Sequence, residues 1–300
     1  TVLEEGTPPP PPAEGEITGF TQTHFQLMGY QSGSRLPITS IDASGVTYFP
    51  GGDYLLMADG EINEETDVYS VVGMNFFEID KGATTVFGGY DLTSPQYAEH
   101  DEPTGIVYCE YDGNVYITKD QSTVGIYKYA YDGQSLSYSS MLRLGTYTPD
   151  PEGVTCDPEA GLLYVVGGSA GNIIVIDITG GGMDVVNVFD LFLINQPPNP
   201  EGVATDIEGI AYDPGTDRLF VLSPADNALY QYDMNGVFIS KWAMRDLTSP
   251  ALVNGAGITF GPSSDGTGES LYLVDRRRDN NSSGDPRDSG FYEFRVIREQ

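Results

Sequence analysis

Hydrophobic residues in this chain fall in short runs, many of them alternating with polar positions, and clusters of turn-forming residues separate the runs. The stretch from Asp206 to Ser240 shows the unit. Gly209 to Asp213 reads as a strand, Asp213, Pro214, Gly215 and Asp217 as a tight reversal, and Leu219 to Leu222 as a second strand. Leu229 to Asp233 follows as a third strand, and Asn235-Gly236 turns the chain into Val237-Phe238-Ile239. The unit is a four-stranded antiparallel meander without a helix.

The same order recurs along the chain. Gly45, Gly105, Gly153, Gly209 and Gly257 are each followed at once by Val46, Ile106, Val154, Ile210 or Ile258. Each second strand carries an aromatic residue: Tyr54, Tyr116, Tyr164, Phe220 and Tyr272. A repeat of roughly 50 residues with four strands per copy predicts an all-β β-propeller, whose blades bury an apolar face only by stacking on their neighbours. Five copies predict five four-stranded blades, while the long stretches near Gly88 and Asn195 leave room for a sixth. The fifth copy ends without a clear fourth strand, and Ile17 to Leu27 reads as a strand without a unit around it. The N-terminal strand is therefore expected to complete the last blade and close the ring. Residues 1–16, with their run of five prolines, read as an extended linker, and 17–300 as a single propeller domain. A proline-rich tether suggests a mature fragment, trimmed after secretion or cut from a larger surface protein.

Charge narrows the partners. The chain carries 14 basic and 44 acidic residues, a net charge of −30. Such a surface repels the phosphates of nucleic acids and anionic lipid headgroups, and no apolar run is long enough to span a membrane as a helix. The excess of carboxylates favours divalent cations, high-salt media or both, with solubility as the plain alternative; among cations calcium, a hard ion taking six to eight oxygens, suits them better than zinc. The cysteines, Cys109 and Cys156, fall on the first strands of neighbouring units. Their offsets from the unit glycine differ by one, and because strand side chains alternate in direction this favours two buried free thiols over a bridge.

Candidate chemistry gathers where the connections enter the first strands. Three residues before the unit glycines stand Asp42, Glu102, Asp150, Asp206 and Asn254; one residue before stand Ser44, Thr104, Glu152, Glu208 and Ala256. Around a propeller axis these positions converge on one channel mouth, and Asp42, Glu102, Asp150, Glu152, Asp206, Glu208 and Asn254 become a ring of oxygen ligands for a divalent ion. Solvated acidic residues at strand ends are the alternative reading. A second acidic set, Asp59, Glu61, Asn63, Glu65 and Asp67, alternates like a calcium loop but lacks the glycine and the closing bidentate glutamate of an EF-hand. His100, in AEHDEPTG beside the expected mouth, is the candidate acid or base, and no nucleophile motif accompanies it.

The motifs EGVTCDPEAGLLYVV and EGIAYDPGTDRLFVLSPADNALYQYD resemble the repeats of secreted propellers in the SdiA-regulated and esterase-like phytase groups. They are similar, more distantly, to the gluconolactonase and senescence-marker family. The tail GITFGPSSDGTGESLYLVDRRRDNNSSGDPRDSGFYEF resembles the closing blade of propeller domains in large bacterial surface proteins. The resemblance implies an extracellular propeller, often associated with calcium. In the gluconolactonase relatives a glutamate, asparagines and an aspartate hold one axial metal, for which Glu152 or Glu208 with Asn254 match in part.

These observations lead to a first expectation: an extracellular or cell-surface propeller, calcium-stabilised, that binds a protein or glycan partner or serves a structural role. Two alternatives stand beside it. One is a metal-dependent hydrolase of esters, lactones or phosphoesters; the other is a subunit of an extracellular assembly, suggested by the tether and the 20 tyrosines.

Overall fold

The computed structural model describes residues 22–32, 42–60, 74–98, 100, 102–195, 200–248, 250–276 and 289–299. The expected linker over 1–16 and the candidate ligands Glu61, Asn63, Glu65 and Asp67 lie outside them. The N-terminal strand is β1 (Gln22–Ser32). Blade 1 comprises β2 (Ala43–Phe49), β3 (Tyr54–Asp59), β4 (Phe76–Ile79) and β5 (Val86–Tyr90). Blade 2 comprises β6 (Pro103–Cys109), β7 (Asn114–Lys119), β8 (Gly125–Tyr131) and β9 (Leu136–Arg143). Blade 3 is built from β10 (Val154–Asp157), β11 (Leu162–Gly167), β12 (Asn172–Asp177) and β13 (Asp184–Asp190). Blade 4 holds β14 (Gly209–Asp213), β15 (Arg218–Ser223), β16 (Ala228–Tyr232) and β17 (Phe238–Ala243). Blade 5 takes β18 (Gly255–Pro262), β19 (Glu269–Asp275) and β20 (Gly290–Glu299), and receives β1 as its outer strand.

The ring is closed as the sequence predicts. β1 runs antiparallel to β20, with Gln22 opposite Glu299 and Phe25 opposite Val296. Phe25 is buried between blades 4 and 5, edge-on to Phe220 and Trp242 at centroid distances of 5.8 and 5.3 Å. Closure therefore joins the first and last strands both by a hydrogen-bonded ladder and by apolar packing.

Five apolar clusters form the core, one between each pair of successive blades. Their composition shows how the repeat works. Side chains two and four residues after the unit glycine face the next blade, and those one and three after it face the previous one. Thus Phe49 of blade 1 meets Tyr108 of blade 2 at 4.8 Å, and Thr155 of blade 3 accepts the backbone N–H of Tyr212 of blade 4. Thr47 does the same for Tyr108.

This packing overturns the expectation of free thiols. Cys109 stands four residues after its glycine and Cys156 three after its own, and the two form a disulfide between blades 2 and 3. An offset differing by one is what a bridge between sheets stacked front to back requires, because one side chain must point forward and the other backward. A second correction concerns blade 1. The residue opposite Thr47 is Leu56, whereas Tyr116, Tyr164, Phe220 and Tyr272 stand at the corresponding place in the other blades, so Tyr54 lies two positions outside the repeat. The chain is also not wholly free of helix: short turns α1 (Leu191–Asn195) and α2 (Met244–Leu247) follow the outer strands of blades 3 and 4.

The unit glycine recurs because the inner strands touch. A Cβ on Gly153 would lie 2.6 Å from the carbonyl oxygen of Glu208 and 3.0 Å from the Cα of Gly209; one on Gly257 would lie 2.6 Å from the Cα of Gly45. Each glycine thus meets the backbone of the following blade around a narrow ring of five. Together with Val46, Ile106, Val154, Ile210 and Ile258 these glycines leave no room for a water molecule on the axis. The channel is sealed just beneath the mouth.

Candidate metal centre

The mouth is the end of the ring where connections enter the first strands and leave the second ones. At two entries the hydroxyl just before the glycine is a structural bond: Ser44 donates to the carbonyl of Pro103, and Thr104 to that of Pro151 at 2.7 Å. Thr118 donates to the carbonyl of Glu152. These bonds tie blade 1 to blade 2 and blade 2 to blade 3. In blades 3 and 4 the same position carries Glu152 and Glu208, whose backbone is held by the ring: the N–H of Glu152 bonds the carbonyl of Val166, and the carbonyl of Glu208 accepts from Gly153 at 2.7 Å.

The expected ring contracts to one side of the mouth. Ligand atoms of Asp120, Asp150 and Glu152 all lie within 4.8 Å of one another, which is the spacing a single cation needs. Glu152 is 5% exposed and Glu208, beside it, 6%. One carboxylate oxygen of Glu208 receives Arg276 Nη2 at 2.8 Å. The Glu208 carboxyl also hydrogen-bonds with that of Glu152, and Oδ1 of Asp120 is buried without a donor. Asp150 is anchored from one side, its Oδ2 accepting the N–H of Ser169 at 3.2 Å. Asp206 is exposed, in a left-handed conformation (φ 50°), and its charge reaches Glu208.

The other expected ligands are not part of this group. Asp42 belongs to a clasp in blade 1, where its N–H bonds Asp59 Oδ2 at 3.3 Å and its carbonyl accepts from Gly60 at 2.8 Å. That clasp also employs Asp59, the first residue of the second acidic set. Glu102 accepts from Gln121 Nε2 at 2.7 Å. Asn254 forms the equivalent clasp in blade 5, its N–H donating to Asp275 Oδ1 at 2.8 Å. His100, placed by sequence at an accessible mouth, is instead fully buried, with ring nitrogens 3.0 Å from the Tyr129 hydroxyl and 3.1 Å from the Thr118 carbonyl. In that setting it braces blade 2.

Asp120 was missed by sequence reading because it follows a second strand, whereas the acidic positions were sought at the entries to the first strands. The signal was present: Asp120 and Arg276 occupy the same place in their blades, two residues beyond the partner of the unit glycine.

The electrostatics follow from the crowding. Burial, and then the neighbouring charge of Glu208, raise Glu152 well above the ordinary glutamate value. Burial likewise raises Glu208, with Arg276 opposing it. Asp120 is raised by burial and by Asp150. Buried carboxyls in this arrangement take up protons or a cation. Among the described residues, the candidate ligands that converge at the mouth are carboxylates. Both cysteines are bonded elsewhere and His100 is enclosed, so the donor set fits a hard, oxygen-seeking divalent ion.

Fold and mouth together define the class: a five-bladed β-propeller with a cluster of carboxylates over a narrow axis. No protein-family model matches the chain, and no curated protein matches it. Solved structures share the architecture. A glutaminyl cyclase of Myxococcus xanthus is 10% identical, with 93% of this chain and 98% of that one covered at a TM-score of 0.58. A luciferin-regenerating enzyme is 11% identical, with 89% and 94% covered at a TM-score of 0.51. At such identity these likenesses show the fold alone. Among the described residues no helix is long and apolar enough to cross a membrane.

Proposed function

We propose that the protein is an extracellular or cell-surface propeller that binds a divalent cation, calcium by its chemistry, at the mouth between blades 2, 3 and 4, and works as a binding or structural module. The observation that carries the reading is the convergence of Asp120, Asp150 and Glu152, whose ligand atoms lie within 4.8 Å of one another, with the buried carboxyl of Glu208 hydrogen-bonded to Glu152 beside them. Those four carboxylates would hold the ion. The Cys109–Cys156 bridge supports an oxidising compartment. Calcium should raise the melting temperature of protein freed of metal, and Glu152→Gln should abolish most of that rise. A melting curve indifferent to chelator and calcium overturns the reading.

A second reading has its own observation. Burial makes Glu152 a weaker acid than an ordinary glutamate, and a carboxyl of the mouth not engaged by the ion could serve as acid or base while the ion polarised a substrate oxygen, which is the chemistry of a metal-dependent hydrolase. The two readings separate on Glu152→Gln assayed against ester, lactone and phosphoester panels. Turnover by the wild type that the variant lacks, with the fold intact, selects the enzyme.

A further inference from the structure

We infer that Arg276 is a built-in counter-cation that competes with the divalent ion for the carboxylates of the mouth, and so sets the affinity of the site. The inference rests on the cation reading above and concerns a residue that is not a ligand.

The repeat places one residue of each blade at the exit of the second strand: Gly60, Asp120, Gly168, Pro224 and Arg276. Only two of the five are charged, and they have opposite sign. Asp120 brings a carboxylate to the cluster from blade 2, and Arg276 brings a guanidinium to the same mouth from blade 5. Arg276 cannot withdraw easily, because its base is fixed. Its N–H donates to the carbonyl of Asn254 at 3.1 Å, and Asp275 accepts the N–H groups of Val253 and Asn254 at 3.0 and 2.8 Å. Its side chain is 17% exposed where it meets Glu208. Its charge is felt at Glu152, Glu208 and Asp120 alike.

A guanidinium stays charged at every pH a protein survives. Two cations sharing one partly buried pocket repel, and the ion must also share Glu208 with the guanidinium. Without the ion, the same guanidinium relieves the repulsion among the carboxylates and keeps the mouth intact. Removing its charge must therefore have two effects of opposite sign: a less stable metal-free protein and a tighter cation site. A purely structural ion pair gives only the first effect. A residue that positions Glu208 for the ion gives weaker binding.

The test is calcium titration calorimetry on the full chain, with melting curves in chelator, for wild type, Arg276→Gln and Arg276→Lys. Arg276→Gln should bind calcium about tenfold or more tighter while melting lower in chelator, and Arg276→Lys, which keeps the charge, should bind as the wild type does. If Arg276→Gln does not fold without metal, competition against a calibrated chelator, on protein kept in calcium throughout, gives the same comparison. Equal or weaker binding by Arg276→Gln, with calcium binding by the wild type, overturns this inference alone. No calcium binding by either protein overturns the cation reading as well.

Discussion

Gly153→Ala probes the narrowness of the ring and the mouth above it at once. The new methyl would stand 2.6 Å from the carbonyl oxygen of Glu208, 2.9 Å from the amide nitrogen of Ile210 and 3.0 Å from the Cα of Gly209. All three are backbone atoms of blade 4, so no side chain can rotate away and the blades must part. Overpacking of this kind costs about 1–3 kcal/mol, and the smaller conformational freedom of an unfolded alanine returns about 0.4–1 kcal/mol. The net loss is about 1–2 kcal/mol, a fall in melting temperature of about 1.5–3 °C for a chain of this size. Glu152 and Glu208 immediately precede the two glycines concerned, so parting the blades also separates their carboxyls, and calcium should raise the variant's melting temperature less than the wild type's. Gly180→Ala is the control, since a Cβ there meets nothing within 4 Å. Differential scanning calorimetry with chelator and with calcium measures both effects. A Gly153→Ala protein as stable as Gly180→Ala would refute the touching ring.

Other consequences can be checked with the same instruments. Phe25→Ala should destabilise the protein by about 3–4 kcal/mol, because Phe25 packs the closing strand between blades 4 and 5; a loss below 1 kcal/mol would contradict closure by β1. Replacing both Cys109 and Cys156 by alanine removes a crosslink between residues 47 apart, which chain entropy values at about 4 kcal/mol; unchanged denaturant midpoints would show that blades 2 and 3 do not need it. In chelator, the folded protein holds the Glu152 and Glu208 protons more tightly than the unfolded chain, whose glutamates titrate near 4.5. Their contribution to stability is therefore complete below 4.5 and is lost as pH rises through their raised range, and Glu152→Gln should flatten that slope. The opposing contribution of Asp112, where burial is the largest single influence but hydrogen bonds from Lys128, Tyr116 and Asn114 together depress its pKa, is lost only below 3.8.

The sequence was most informative where chemistry repeats. The glycine and the β-branched residue after it mark the inner strand in all five blades, and Ile17 to Leu27 was recognisable as a strand in search of a sheet: its residues from Gln22 on lie in the strand Gln22–Ser32, and residues 17–21 lie outside the described residues. Pairwise geometry across blades was less legible. Cys109 and Cys156 were read by the parity rule of a single sheet, whereas stacked sheets present opposite faces to each other. His100 sits in a polar run, yet its ring is drawn inward by the Tyr129 hydroxyl and the Thr118 carbonyl. The acidic ring was visible as a set of equivalent positions, but equivalence says nothing of what each carboxylate is already bonded to. Asp59 and Asp275 are committed to backbone N–H groups, while Glu208 is engaged by Arg276 and by the Glu152 carboxyl within the mouth itself.

The most direct test of the central claim is an anomalous difference map from crystals soaked in Mn²⁺ or grown with Ca²⁺. A cation held by the mouth should give a peak about 2.0–2.6 Å from carboxylate oxygens of Asp120, Asp150 and Glu152, absent from Glu152→Gln crystals treated alike. Crystals with an empty mouth, or with the ion held elsewhere on the acidic surface, would contradict it.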